Sequence, residues 1–88
     1  MTKVRIIGLN VGNRESTARL VQKILTMYGC SIRTRLGLHD PAGEQSSQGG
    51  LILLELIGEQ EEWNRLEQEL QEIPELEIQK MDFNGSPA

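Results

Sequence analysis

Cysteine occurs once in this sequence, histidine once, and aromatic residues three times, as Tyr28, Trp63 and Phe83. A lone Cys30 cannot close an internal disulfide and has no Cys or His partner at metal-site spacing, which fits a reducing compartment. With His39 the only histidine, a Ser-His-Asp or Cys-His system would have to be built around it, and nothing positions a nucleophile there. We therefore expect no enzyme. The phosphate-loop patterns G-x-G-x-x-G and G-K-[ST] are absent, although Gly8 and Gly12 stand in G-x-x-x-G spacing. Long apolar runs are missing too: the stretch Leu51 to Leu54 falls far short of the roughly 20 residues that cross a bilayer. The opening Met1-Thr2-Lys3-Val4-Arg5 carries no apolar h-region, so no secretory signal is expected and the expected location is cytoplasmic.

What is present is a core built from Leu, Ile and Val. The 88 residues are 38% hydrophobic and 25% charged, the balance of a globular chain rather than a disordered one. At this length folding buries only about 60 to 65% of the unfolded surface, so stability is marginal unless subunits share a core. The net charge of −4 is unevenly divided: residues 1–38 sum to +6 and residues 39–88 to −10. Mutual neutralisation within the fold accounts for this more simply than a basic face for an anionic partner. The acidic total argues against direct nucleic-acid binding, which needs clustered Lys and Arg without nearby carboxylates.

Residues 3–11, KVRIIGLNV, alternate as a strand, with Arg5, Ile7, Leu9 and Val11 on one face and Val4, Ile6, Gly8 and Asn10 on the other. Both faces are largely apolar, which predicts a central strand. Gly12-Asn13 makes a turn, with Asn13 placed to cap a helix over about 14–29 and Glu15 in its first turn. Ala18, Val21, Leu25 and Tyr28, flanked by Leu20, Ile24 and Met27, form the broad apolar stripe of a helix on a sheet. Gly29 is the expected stop.

Residues 31–39, SIRTRLGLH, alternate strictly: Ile32, Thr34, Leu36 and Leu38 face one way and Arg33, Arg35, Gly37 and His39 the other. That pattern suits an edge strand or a solvated face. Asp40 to Gly50 has the composition of a mobile loop. LILLELI at 51–57 is almost continuously apolar, a second central strand. A helix over about 59–72 follows, with Trp63, Leu66, Leu70 and Ile73 as a narrow stripe and Pro74 ending it. Residues 76–83 form a weaker last strand, and Asn84 to Ala88 a frayed tail.

The order β-α-β-β-α-β predicts an α+β, ferredoxin-like sandwich, two helices on one face of a four-stranded antiparallel sheet. Helices cover one face only. The other carries Leu, Ile and Val from both central strands, so we expect a homo-oligomer, dimer or tetramer, formed through the sheet, face to face or edge to edge.

The turn Asn10-Val11-Gly12-Asn13-Arg14 leads into a helix N-terminus, and these five residues are the ligand-binding candidates, for a small anionic ligand held by free N–H groups and the Arg14 charge. A plain turn and cap explains the same residues. His39, Asp40 and Glu44 offer a weak three-ligand metal set from one loop; without further His or Cys, no metal site and no cofactor is expected. Cys30 reads as a half-buried small residue rather than a nucleophile. Eight acids between Glu59 and Glu77 read as a solvated helix face, and Trp63 as core.

The strand VRIIGLNV, the helix core ARLVQKIL, the Arg33-Thr34-Arg35-Leu36-Gly37 strand, the apolar LILLELIG and the short closing strand resemble the ACT-like family of iron-only hydrogenase system regulators over nearly the whole chain. The resemblance implies one ACT-like domain over residues 1–84 with a flexible tail at 85–88, and a regulatory role beside hydrogenase expression or maturation. Two departures stand out. Amino-acid-binding ACT domains usually carry an Asp-x-x-Gly turn where this chain has Asn10-Val11-Gly12-Asn13, and the related nickel-responsive domains use several His and a Cys where this chain has His39 alone. The expected function is a non-enzymatic regulatory or small-ligand-sensing module. The alternatives are an assembly subunit without ligand and, last, a small enzyme with its site between subunits. No helix-turn-helix is present, so DNA control would need a partner protein or a basic face using Arg33 and Arg35.

Overall fold

A computed structural model of the chain describes residues 3–12, 14–38 and 50–84. The strands are β1 Val4–Gly12, β2 Ile32–Leu38, β3 Gly50–Leu56 and β4 Glu77–Phe83; the helices are α1 Glu15–Met27 and α2 Gln60–Gln71. All strand pairs are antiparallel and the sheet order is β2-β3-β1-β4. This is the ferredoxin-like α+β arrangement that the element order predicts. The two strands with apolar residues on both faces, β1 and β3, occupy the centre.

The core lies between the sheet and the helices. Ile7, Leu9 and Val11 of β1 and Ile52, Leu54 and Leu56 of β3 pack against Val21 and Leu25 of α1 and Trp63, Leu66 and Leu70 of α2. Burying each such aliphatic side chain contributes about 1.5–3 kcal/mol, which is why period-2 strands and period-3.6 helices settle with these stripes facing one another. Trp63 is a core residue as expected, and its indole N–H is satisfied by the Ile57 carbonyl at 2.9 Å.

Four local expectations are corrected. The N-cap position of α1 is Arg14 rather than Asn13; the Arg14 carbonyl accepts from the Ala18 N–H at 3.0 Å, and the Arg14 side chain makes no capping hydrogen bond. The helix ends at Met27, before Gly29, because Gly29–Ser31 forms a tighter 3-10 turn. The apolar stripe of α1 is narrower than predicted: Ile24 is buried, but Leu20 and Met27 are exposed. In β2, Ile32 pairs with Leu56 and Thr34 with Glu55, so Arg33 is an extra residue in a bulge. The bulge breaks the strict alternation, leaving Ile32 against the core while Thr34, Leu36 and Leu38 lie on the opposite face. Asn13, His39, the Asp40 to Glu44 residues and the 85–88 tail lie outside the described residues.

Candidate functional site

The helices leave one face of the sheet open, and register fixes what stands on it. Residues opposite one another in adjacent strands share a face. The open face is therefore four rows across β2, β3, β1 and β4. The first is Leu38, Leu51, Asn10 and Glu77; the second is Leu36, Leu53, Gly8 and Gln79. The third is Thr34, Glu55, Ile6 and Met81, and the last pairs Val4 with Phe83. Leu36, Leu38, Leu51, Met81 and Phe83 are 40–58% exposed there. Two cross-strand polar pairs accompany them: Thr34 Oγ1 donates to Glu55 Oε1 at 2.7 Å, and Asn10 Nδ2 donates to Glu77 Oε1 at 3.2 Å.

The turn candidates separate into different environments. Asn10 is exposed at the end of the open face, Val11 points into the core, and Gly12 takes a left-handed backbone (φ 76°) that favours glycine. Arg14 is exposed, and its Nε lies 2.7 Å from Glu75 Oε1. Asn10 and Arg14 are thus both drawn to the start of β4 and the residues just before it, each against a carboxylate. An anion at this turn would have to displace or neighbour Glu75 and Glu77, a cost that the helix N-terminus alone does not suggest. Asn13 lies outside the described residues.

The helix-facing side holds a charged cluster that hydrophobic patterning does not announce. Arg5, only 4% exposed, donates from Nε to Asp82 Oδ1 at 2.6 Å and from Nη2 to Asp82 Oδ2 at 3.0 Å. Its Nη1 donates to Glu67 Oε2, while Lys80 Nζ reaches Glu67 Oε1 at 3.1 Å. The guanidinium also lies 5.3 Å from the centre of the Trp63 ring. Hydrogen bonding to Asp82, with help from the charges of Glu67 and Asp82, raises the Arg5 pKa against the opposing effect of burial. The bond from Arg5 lowers that of Asp82. Two cations and two carboxylates balance, so the cluster is a closed clamp joining β1, β4 and α2. Separately, the Tyr28 hydroxyl donates to Glu69 of α2, which raises the phenol pKa.

Arg35 leaves the open face and donates to Gln22 of α1, while Arg33 sits at the β2 bulge. Among the described residues, no group of three or more His, Cys, Asp and Glu has metal-site geometry. Cys30 is exposed, where the sequence suggested half-burial. No described helix is long and apolar enough to cross a membrane.

With this geometry in view, comparison with known proteins gives a fold and no function. The chain is similar in structure to the uncharacterized protein TM1266 from Thermotoga maritima, with a TM-score of 0.78 at 19% identity over 96% of this chain and 100% of that one. At that identity the likeness establishes the fold alone. No family model matches the sequence, and no curated protein does.

Proposed function

We propose that this chain is a non-enzymatic regulatory module of the ACT-like kind that works as a homo-oligomer through the open face of its sheet. The observation that carries this reading is the exposed apolar set Leu36, Leu38, Leu51, Met81 and Phe83 on the face the helices do not cover. Contiguous apolar surface of this kind marks an interaction site, and an 88-residue domain gains stability by sharing it. The sequence resemblance to iron-only hydrogenase system regulators supports a regulatory role in the cytoplasm beside that enzyme system, with a small anionic ligand near residues 10–14 as the sensed signal.

A specific observation favours a second reading, an assembly subunit without ligand: the polar groups of Asn10 and Arg14 are already engaged by Glu77 and Glu75. A thermal-shift screen with amino acids, nucleotides and inorganic anions, run beside light scattering, tests the pair. A melting point raised by one ligand class, and no longer raised in Arg14→Ala, supports sensing. An oligomer that no compound stabilises supports assembly alone, and a monomer at micromolar concentration rejects both.

A further inference from the structure

The apolar residues of the open face are not scattered; they run along one diagonal of the sheet. Stepping one strand over and one row down from the corner gives Leu38 on β2, Leu53 on β3, Ile6 on β1 and Phe83 on β4. Leu36 and Leu51 flank one end of this line, and Met81 the other, beside Val4, which is only 6% exposed. The two off-diagonal corners are polar. One holds Asn10, Glu77 and Gln79; the other holds Thr34 and Glu55, with Arg33 at the adjoining bulge. With strands about 4.8 Å apart and same-face residues about 6.8 Å apart along each strand, the apolar stripe is about 25 Å long and lies about 35° from the strand direction.

We propose that two copies of this chain pack open face to open face about a two-fold axis running along that stripe, which brings Glu77 of each copy beside the partner's Arg33. The proposal deepens the self-assembly reading above and rests on it.

A two-fold contact between like faces requires its axis to lie in the interface plane, and the pattern must match itself after that rotation. An axis along the strands lays β2 on β4 and puts Leu38 over Glu77. An axis straight across the strands reverses the rows and puts Leu53 over Glu55 and Phe83 over Glu77. Both bury carboxylates against leucine, at a large desolvation cost.

Only axes along the stripe or perpendicular to it place apolar on apolar. The perpendicular axis turns each polar corner onto its own copy, bringing Glu77 towards Glu77 and Arg33 towards Arg33. The axis along the stripe exchanges the corners. Leu38, Leu53, Ile6 and Phe83 then meet their own copies, and Leu36 lies over Leu51. Gln79 falls beside Thr34 and Glu55. Glu77 lands just outside the β2 edge at the level of Thr34, where Arg33 stands exposed and makes no ion pair among the described residues. Charge complementarity thus selects this axis over its rival and selects a second copy as the occupant. Rotation about a line 35° from the strands crosses the two sets of strands at about 70°, towards the orthogonal class of sheet packing.

Sedimentation equilibrium on the full chain tests the assembly, with circular dichroism confirming that each variant is folded. Leu53→Asp is expected to give a monomer, while Leu20→Asp on exposed helix surface leaves the mass unchanged. Should Leu53→Asp unfold the chain, Met81→Asp at the most exposed apolar position of the face replaces it. Glu77→Arg and Arg33→Glu are each expected to weaken association several-fold at low salt, and the double reversal to restore it. An assembly that survives the aspartate on the open face overturns face-to-face packing while leaving self-association standing. Loss of assembly with the aspartate, but no rescue by the double reversal, overturns the stripe-aligned axis. A wild-type monomer overturns this proposal and the reading beneath it.

Discussion

Arg5 grips Asp82 with two parallel hydrogen bonds, of 2.6 and 3.0 Å, joining the first strand to the last while the same guanidinium holds Glu67 of α2. A polar residue on the core face of a central strand thus fastens the edge strand and the second helix at once.

Removing Arg5 leaves Glu67 buried with Lys80 as its remaining charged partner. Breaking a buried ion pair from one side costs about 3–5 kcal/mol. A domain of this size has about 4–13 kcal/mol in total. Arg5→Ala is therefore expected to lower the urea midpoint severely or unfold the chain. Arg5→Leu combined with Glu67→Leu is expected to cost much less than the two single changes added together, because the charges that remain, Asp82 and Lys80, are half-exposed and no unpaired charge stays buried. Additive losses in urea denaturation would show that the clamp is not a coupled unit.

The carboxylate of Asp82 has a folded pKa below its unfolded value, chiefly because it accepts from Arg5. Its contribution to stability is fully present above the unfolded value and disappears as pH falls through the folded one. Stability is expected to fall with acidification below about pH 4. In Asp82→Asn that part of the acid dependence should be missing, together with part of the stability at neutral pH. Half of the Asp82 side chain is solvent-exposed, so the effect is smaller than for a buried pair. Unfolding curves across an acid pH series measure it.

Tyr28 is the single tyrosine, so phenolate absorbance reports on it alone. Its hydroxyl donates to Glu69, and its folded pKa is raised for that reason first. The sign is opposite to that of Asp82: stability is present below the unfolded tyrosine value, about 10, and is lost as pH rises through the folded one. Native protein should titrate at higher pH than the urea-unfolded chain, and Tyr28→Phe should lack that share of alkaline destabilisation. Coincident native and unfolded titrations would remove the Tyr28–Glu69 bond from the account.

Gly50 opens β3 with φ 104°, and a Cβ there would stand 2.6 Å from the Leu38 carbonyl oxygen. The neighbour is backbone and cannot swing away. Gly50→Ala is expected to destabilise by about 1–3 kcal/mol through strain at this conformation. Gly29→Ala meets open space and ordinary backbone, so it serves as the control in thermal denaturation.

Much of the fold was legible because periodicity reports which side of an element is buried. The double-sided apolarity of VRIIGLNV and LILLELI identified the central strands, and the stripe through Trp63, Leu66 and Leu70 identified the buried side of α2. The Arg33 bulge was not legible. An extra residue reverses the face of everything after it, yet strict alternation looks identical with or without it. The 10–14 turn was readable as a turn leading into a helix, but the Glu75 and Glu77 carboxylates beside it come from over 60 residues further along the chain.

The sequence by itself determined the order of elements, the two central strands and the presence of an uncovered apolar face, since these follow from local spacing and composition. Only the tertiary structure decided that Arg5, Glu67, Lys80 and Asp82 form one neutral cluster and that Leu38, Leu53, Ile6 and Phe83 fall on a single diagonal. Both depend on which strand lies beside which and in what register. Register is set by pairing between segments far apart in the chain, and no local pattern encodes it.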